Sequence, residues 1–207
     1  MFKETFSELI YELWPMIFIF SIIISSIRIT YLIKKKKKFI FYREFLGLLF
    51  IIYILTLFHV VTFQDTNYGT SNFTPFTEMF RYSFGSRLFI KNIVGNLLLF
   101  IPFGLFVSYY LKLKSIYPVL FLSLISSLSI EITQYKIGRV FDVDDIILNI
   151  FGAIIGFMIY IAIDSISKKL PKIFRNEWFI SAVLLFVITI VLLYLLNLDK
   201  IIIGMLL

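Results

Sequence analysis

Apolar residues run through this chain in stretches too long and too continuous for the one-sided helices of a water-soluble fold. Six windows, 13–33, 45–63, 93–111, 116–133, 146–163 and 179–198, approach the roughly 20 apolar residues an α-helix needs to cross a hydrocarbon core about 30 Å thick. Polar positions collect between these windows or at their ends, and the third to fifth windows are the shorter and more polar-ended. A backbone in lipid must satisfy its own N–H and C=O groups. The pattern therefore predicts an all-α fold, a polytopic membrane helix bundle with six transmembrane helices. No fixed repeat and no soluble-domain linker is visible, so 1–207 reads as a single bundle with 179–198 as an accessory sixth helix.

Composition sharpens this reading. The chain is 60% hydrophobic with a mean hydropathy of +0.95, against about 45–50% apolar residues in a soluble domain. The absence of cysteine excludes disulfides, thiol catalysis and thiolate metal sites, and the single histidine, His59, argues against a multi-histidine metal centre or a Ser–His–Asp triad. His59 reads instead as a hydrogen-bonding residue near an interface. The net charge of +7 does not call for nucleic acid. In so apolar a chain, lysines set topology and meet anionic headgroups. Loops 34–44, 112–115 and 164–178 carry the excess of Lys and Arg, which puts them in the cytoplasm and the turn 134–145 outside. Glu4, Glu8 and Glu12 occupy the place of a basic leader region, so the first span is expected to be retained rather than cleaved. Arg28, near the inner end of that span, is expected to snorkel to headgroups.

Most of the polar chemistry falls between residues 91 and 152. Asn92 and Asn96 are one helical turn apart, and Pro102 should bend the helix near Leu98. Glu131 and Gln134 share a helix face. A carboxylate at membrane depth needs a partner, and Arg139 in the following turn is the nearest candidate. Asp142, Asp144 and Asp145 precede the fifth span, where one acid suffices as an N-cap and three exceed the need. Asp145, Asn149, Gly152 and Gly156 then form one polar-to-small stripe. Upstream, 64–72 is rich in turn residues and Thr74-Pro75 reads as N-cap and first helical position. Phe76, Phe80, Phe84 and Leu88 recur every four residues, as in a short interfacial helix with an aromatic underside.

Several of these fragments occur in a recognisable order. Asn72-x-x-Pro75-Phe76, Asn92-x-x-Gly95-Asn96-x-x-x-Phe100-x-Pro102-Phe103-Gly104, Glu131-x-x-Gln134 and Arg139-x-x-Asp142-x-x-Asp145-x-x-x-Asn149-x-x-Gly152-x-x-x-Gly156 together resemble the VanZ-like family of bacterial membrane proteins. The resemblance covers a core of residues 45–163. It implies a role at the cell envelope, in a family associated with low-level resistance to teicoplanin-type glycopeptides.

Three functional readings follow. In the first, an outward-facing polar site binds an envelope lipid or lipid-linked cell-wall precursor, or modifies it as an enzyme. Glu131, Arg139, Asp142 and Asp145 are the candidate reactive groups, and Asn92, Asn96, Gln134 and Asn149 the ligand-binding ones. Arg139 would hold a phosphate or carboxylate, and Glu131 or Asp145 would act as general acid or base. The acids could alternatively hold a divalent cation, Mg²⁺ or Ca²⁺. In the second, the same groups form a structural network in a binder or scaffold. The third, a proton-coupled transporter using Glu131, lacks the paired broken segments such folds show.

Overall fold

A computed structural model describes residues 2–63 and 71–195 of the chain. Its helices are α1 (Phe2–Lys34), α2 (Phe41–Phe63), α3 (Thr77–Arg81), α4 (Arg87–Phe89), α5 (Gly95–Leu111), α6 (Tyr117–Lys136), α7 (Val143–Lys169) and α8 (Glu177–Leu195). A π-helical turn, Ile90–Val94, joins α4 to α5, and a 3₁₀ turn, Lys172–Arg175, precedes α8. Among the described residues, five segments are long and apolar enough to cross a membrane: Tyr11–Lys34, Phe41–Thr62, Arg87–Leu111, Tyr117–Lys136 and Val143–Lys169. The sixth expected window falls on α8, whose apolar stretch Glu177–Thr189 is shorter, and the end of that window lies outside the described residues. The protein is an all-α, multi-pass membrane protein.

The chain forms two compact units, one of residues up to Ile51 and from Ser167 onward, the other Ile52–Ile166. In the first, the structure corrects the expectation for Arg28. Its guanidinium donates to both carboxylate oxygens of Glu44, at 2.6 and 3.1 Å, instead of reaching alone for headgroups. A bidentate acceptor in the first turn of α2 offers the planar fork more than mobile headgroups do. Arg43 likewise donates to Glu177 at 2.8 Å, and the Tyr42 amide to Ser181 Oγ at 3.4 Å, so ion pairing and capping tie the start of α2 to α8.

The second unit holds a core of Leu57, Val61, Phe100, Phe103, Val119 and Ala153. Around it, α6 turns mostly small and polar residues inward and apolar ones outward. On α6 the buried face is Val119, Ser123, Ser127, Glu131 and Gln134, whereas Phe121, Leu124, Ile125, Leu128 and Ile132 are exposed. Lipid tails supply no hydrophobic drive for burying the large residues, so small and polar groups take the contacts. A Cβ on Gly104 would strike the Ala153 carbonyl, one on Gly152 the Leu97 carbonyl, and one on Gly156 the Ile101 carbonyl. These helices, α5 and α7, therefore run in parallel with their backbones in contact. Pro102 lies within α5 and removes one of its internal hydrogen bonds. The Tyr53 hydroxyl of α2 donates to the Leu99 carbonyl there at 2.7 Å.

Residues 71–94 depart from the expected interfacial helix. Thr74 and Pro75 precede helical structure instead of starting it, and Phe76 takes a left-handed conformation at φ 68° before α3. That helix stops at an extended Tyr82, Gly85 turns the chain at φ 79°, and Ser86 caps α4 by accepting from the Phe89 amide at 3.1 Å. The four-residue spacing thus crosses a break, although Phe76, Phe80, Phe84 and Leu88 are all exposed, Phe84 by 93%. Most of the turn expected at 64–72 lies outside the described residues.

Candidate functional site

Four helices of the second unit bring polar groups to one end: the last turns of α2 and α6, and the first turns of α5 and α7. They are joined by a directional relay. At the C-terminal end of α2 the last carbonyls have no helical partner. One of them, Val61 C=O, accepts from Arg139 Nη1 at 2.7 Å. With its amide oriented to satisfy both ends, Gln134 accepts from Arg139 Nη1 at 3.1 Å and donates to Glu131 Oε1 at 3.0 Å. The other oxygen of Glu131 accepts from the Asp142 amide at 2.9 Å. Glu131, only 1% exposed, thus has a hydrogen bond on each oxygen. Arg139 is the expected cation, but Gln134 stands between the two charges, so the expected direct pair becomes a bridged one.

The three acids ahead of α7 divide their work, which explains why there are more than capping requires. Asp142 Oδ1 accepts from the Asp144 amide at 2.8 Å as the cap of α7, and from Asn72 Nδ2 at 2.9 Å. The backbone of Asn72 also pairs with this turn, its amide donating to the Phe141 carbonyl at 2.8 Å and its carbonyl accepting from the Val143 amide at 3.1 Å. Asp144, 1% exposed, accepts from the amides of Phe76 at 2.5 Å and Met79 at 3.0 Å, capping α3 from another helix. Asp145 accepts from the side-chain amide of Asn96 on α5. Four residues on, Asn149 donates through Nδ2 to Ser127 Oγ at 2.9 Å, but its buried Oδ1 has no partner.

Asn96, Glu131, Gln134, Arg139, Asp145 and Asn149 line a cavity of about 50 Å³, whose apolar walls include Leu57, Val60, Val61, Leu99, Phe100 and Ile130. A water needs at least about 10–15 Å³ of such space, so the cavity has room for a few water-sized groups. Asp142 and Asn92 are outside the lining, and the Asp142 amide donates to Glu131, which is part of it. The π turn over Ile90–Val94, closed by the Gly95 amide on the Ile90 carbonyl, contains Asn92 while Asn96 is in α5, and its wider winding spoils the expected one-turn stacking. His59 is also outside the lining. Among the described residues no group of three or more His, Cys, Asp or Glu is placed to hold a metal ion.

Sequence reading did not find the Val61 carbonyl, because a backbone acceptor carries no residue signature. Ser127 was visible only as one of several packing serines.

The VanZ/LLP1 family model matches residues 45–164. The chain belongs to the VanZ/LLP1 family. It is 28% identical over 120 residues to Protein VanZ of Enterococcus faecium, an alignment taking in 53% of this chain and 69% of that one. No solved structure matches. The VanZ/LLP1 region contains every group of the relay and of the cavity lining, and it nearly coincides with the compact unit Ile52–Ile166.

Proposed function

We propose that this VanZ-family membrane protein binds the polar part of an envelope lipid or lipid-linked cell-wall precursor at the cavity between α2, α5, α6 and α7, on the extracytoplasmic side of the bacterial cytoplasmic membrane, and thereby contributes to resistance to teicoplanin-type glycopeptides. The observation that carries this reading is the buried Asn149 oxygen left without a partner in a polar cavity at the ends of apolar helices. A purely structural network would satisfy its own atoms, because an orphan acceptor at depth costs about 1–3 kcal/mol. The distribution of Lys and Arg supports the outward placement, and family membership supports the link to the envelope.

A second reading has its own support. Glu131 and Asp145 line the same cavity, and two carboxylates beside one substrate group are the equipment of acid–base chemistry. The protein would then modify the precursor it binds.

The test is separate replacement of Glu131→Gln, Arg139→Lys and Asp145→Asn, with membrane abundance and teicoplanin susceptibility measured together. Loss of protection at undiminished abundance supports a working site. Loss that only tracks falling abundance reduces these residues to scaffolding and overturns the proposal. Incubation with lipid-linked precursor, read by mass spectrometry, separates binding from modification.

A further inference from the structure

We infer that the group this cavity takes is a primary ammonium, an inference that rests on the binding role proposed above. The lining contains two carboxyl groups, Glu131 and Asp145, and one guanidinium, Arg139. Arg139 Nη1 already donates to the Val61 carbonyl and to Gln134. The buried atom of the lining that lacks a partner is an acceptor, the Oδ1 of Asn149, a residue only 5% exposed. An incoming phosphate or carboxylate would place its oxygens against that oxygen and both carboxylates. A donor-bearing cation meets all of them favourably.

Hydrogen-bond count selects within the cations. A cavity of about 50 Å³ holds a few groups of water's size, each needing about 10–15 Å³ of such space. A primary ammonium fits there and carries three donors. The trimethylammonium of a choline headgroup is larger and has no N–H to give Asn149. Two sources present a primary ammonium at the outer surface: an amine-bearing phospholipid headgroup, such as ethanolamine, or a free amine on the peptide of a lipid-linked wall precursor.

The full-length protein in phosphatidylglycerol nanodiscs is titrated, with native mass spectrometry as readout, against four probes. These are short-chain phosphatidylethanolamine, its N-acetyl derivative, a lipid-linked wall precursor with a free side-chain amine, and that precursor with the amine acetylated. Acetylation removes the charge and two of the donors, so the free-amine form of at least one pair should bind roughly tenfold or more tightly. A preference within the phospholipid pair identifies a headgroup as the source, and one within the precursor pair identifies the wall peptide. Equal binding of free and acetylated forms overturns the ammonium assignment while leaving the binding role standing. No binding by any probe overturns both. Asn149→Ala should abolish the preference, and its persistence in a well-folded variant would place the amine elsewhere.

Discussion

Asn96 on α5 donates its side-chain amide to the carboxylate of Asp145 on α7, linking two helices that are nearly fifty residues apart in the chain. Removing the donor should cost more than removing the pair. Asn96→Leu leaves a carboxylate short of a partner, an expected loss of about 1–3 kcal/mol. The double variant with Asp145→Leu should recover part of that loss, because nothing polar is then stranded. Asp145→Asn keeps an acceptor for Asn96 and should melt near the parent. Thermal unfolding of the purified variants in detergent checks the cycle, and additive losses would contradict it.

The relay from Arg139 through Gln134 to Glu131 has a direction, since Arg139 only donates and the Asp142 amide must be accepted. Glu131→Gln alone forces two donors together somewhere along it. Adding Gln134→Glu restores a consistent order, with Gln at 131 accepting from Asp142 and donating to Glu at 134, which accepts from Arg139. We expect the single variant to lose about 1–3 kcal/mol and the swapped pair to regain most of it. A swapped pair no more stable than the single variant would refute this order.

Asp144 should act on α3 rather than on the membrane core. Asp144→Ala strips the acceptor from the Phe76 and Met79 amides, a loss of about 1–3 kcal/mol confined to the segment it holds. Hydrogen exchange should rise sharply across residues 74–81 while α5, α6 and α7 keep their protection. Uniformly faster exchange would show that the acid is a global support.

The glycines of the α5–α7 contact should tolerate no side chain. Gly152→Ala and Gly156→Ala each drive a Cβ into a backbone carbonyl, which cannot move aside as a side chain can, with an expected cost of about 1–3 kcal/mol or more. Gly85 has open space around it, and alanine there meets only its left-handed φ of 79°, a cost of roughly 1–2 kcal/mol. Fluorescence size-exclusion melts should rank the first two below the third.

Much of the fold was legible because lipid imposes a simple demand, long apolar windows with charge kept to their ends. Glu131, Gln134, Asp145 and Asn149 stood out because polar residues on apolar helices are conspicuous. What escaped the sequence depended on partners distant in the chain or on backbone detail. Arg28 meets Glu44 across a turn, and Asp144 caps a helix more than sixty residues upstream. Asn92 and Asn96 look equivalent by spacing, and the π turn that holds Asn92 separates their roles. The aromatic repeat at 76–88 suggested one helix, but periodicity carried no sign of the break at Tyr82.

Touching backbones cannot slide by rotamer changes, so the glycine seam makes α5 and α7 one stiff spar. Asn96 and Asp145, set at its end, keep their spacing whatever enters between the helices. Any breathing that admits a guest then falls to the opposite wall, where Val61, Gln134 and Glu131 are linked by hydrogen bonds that can exchange for others, so the guest is clamped from one side against a fixed jaw.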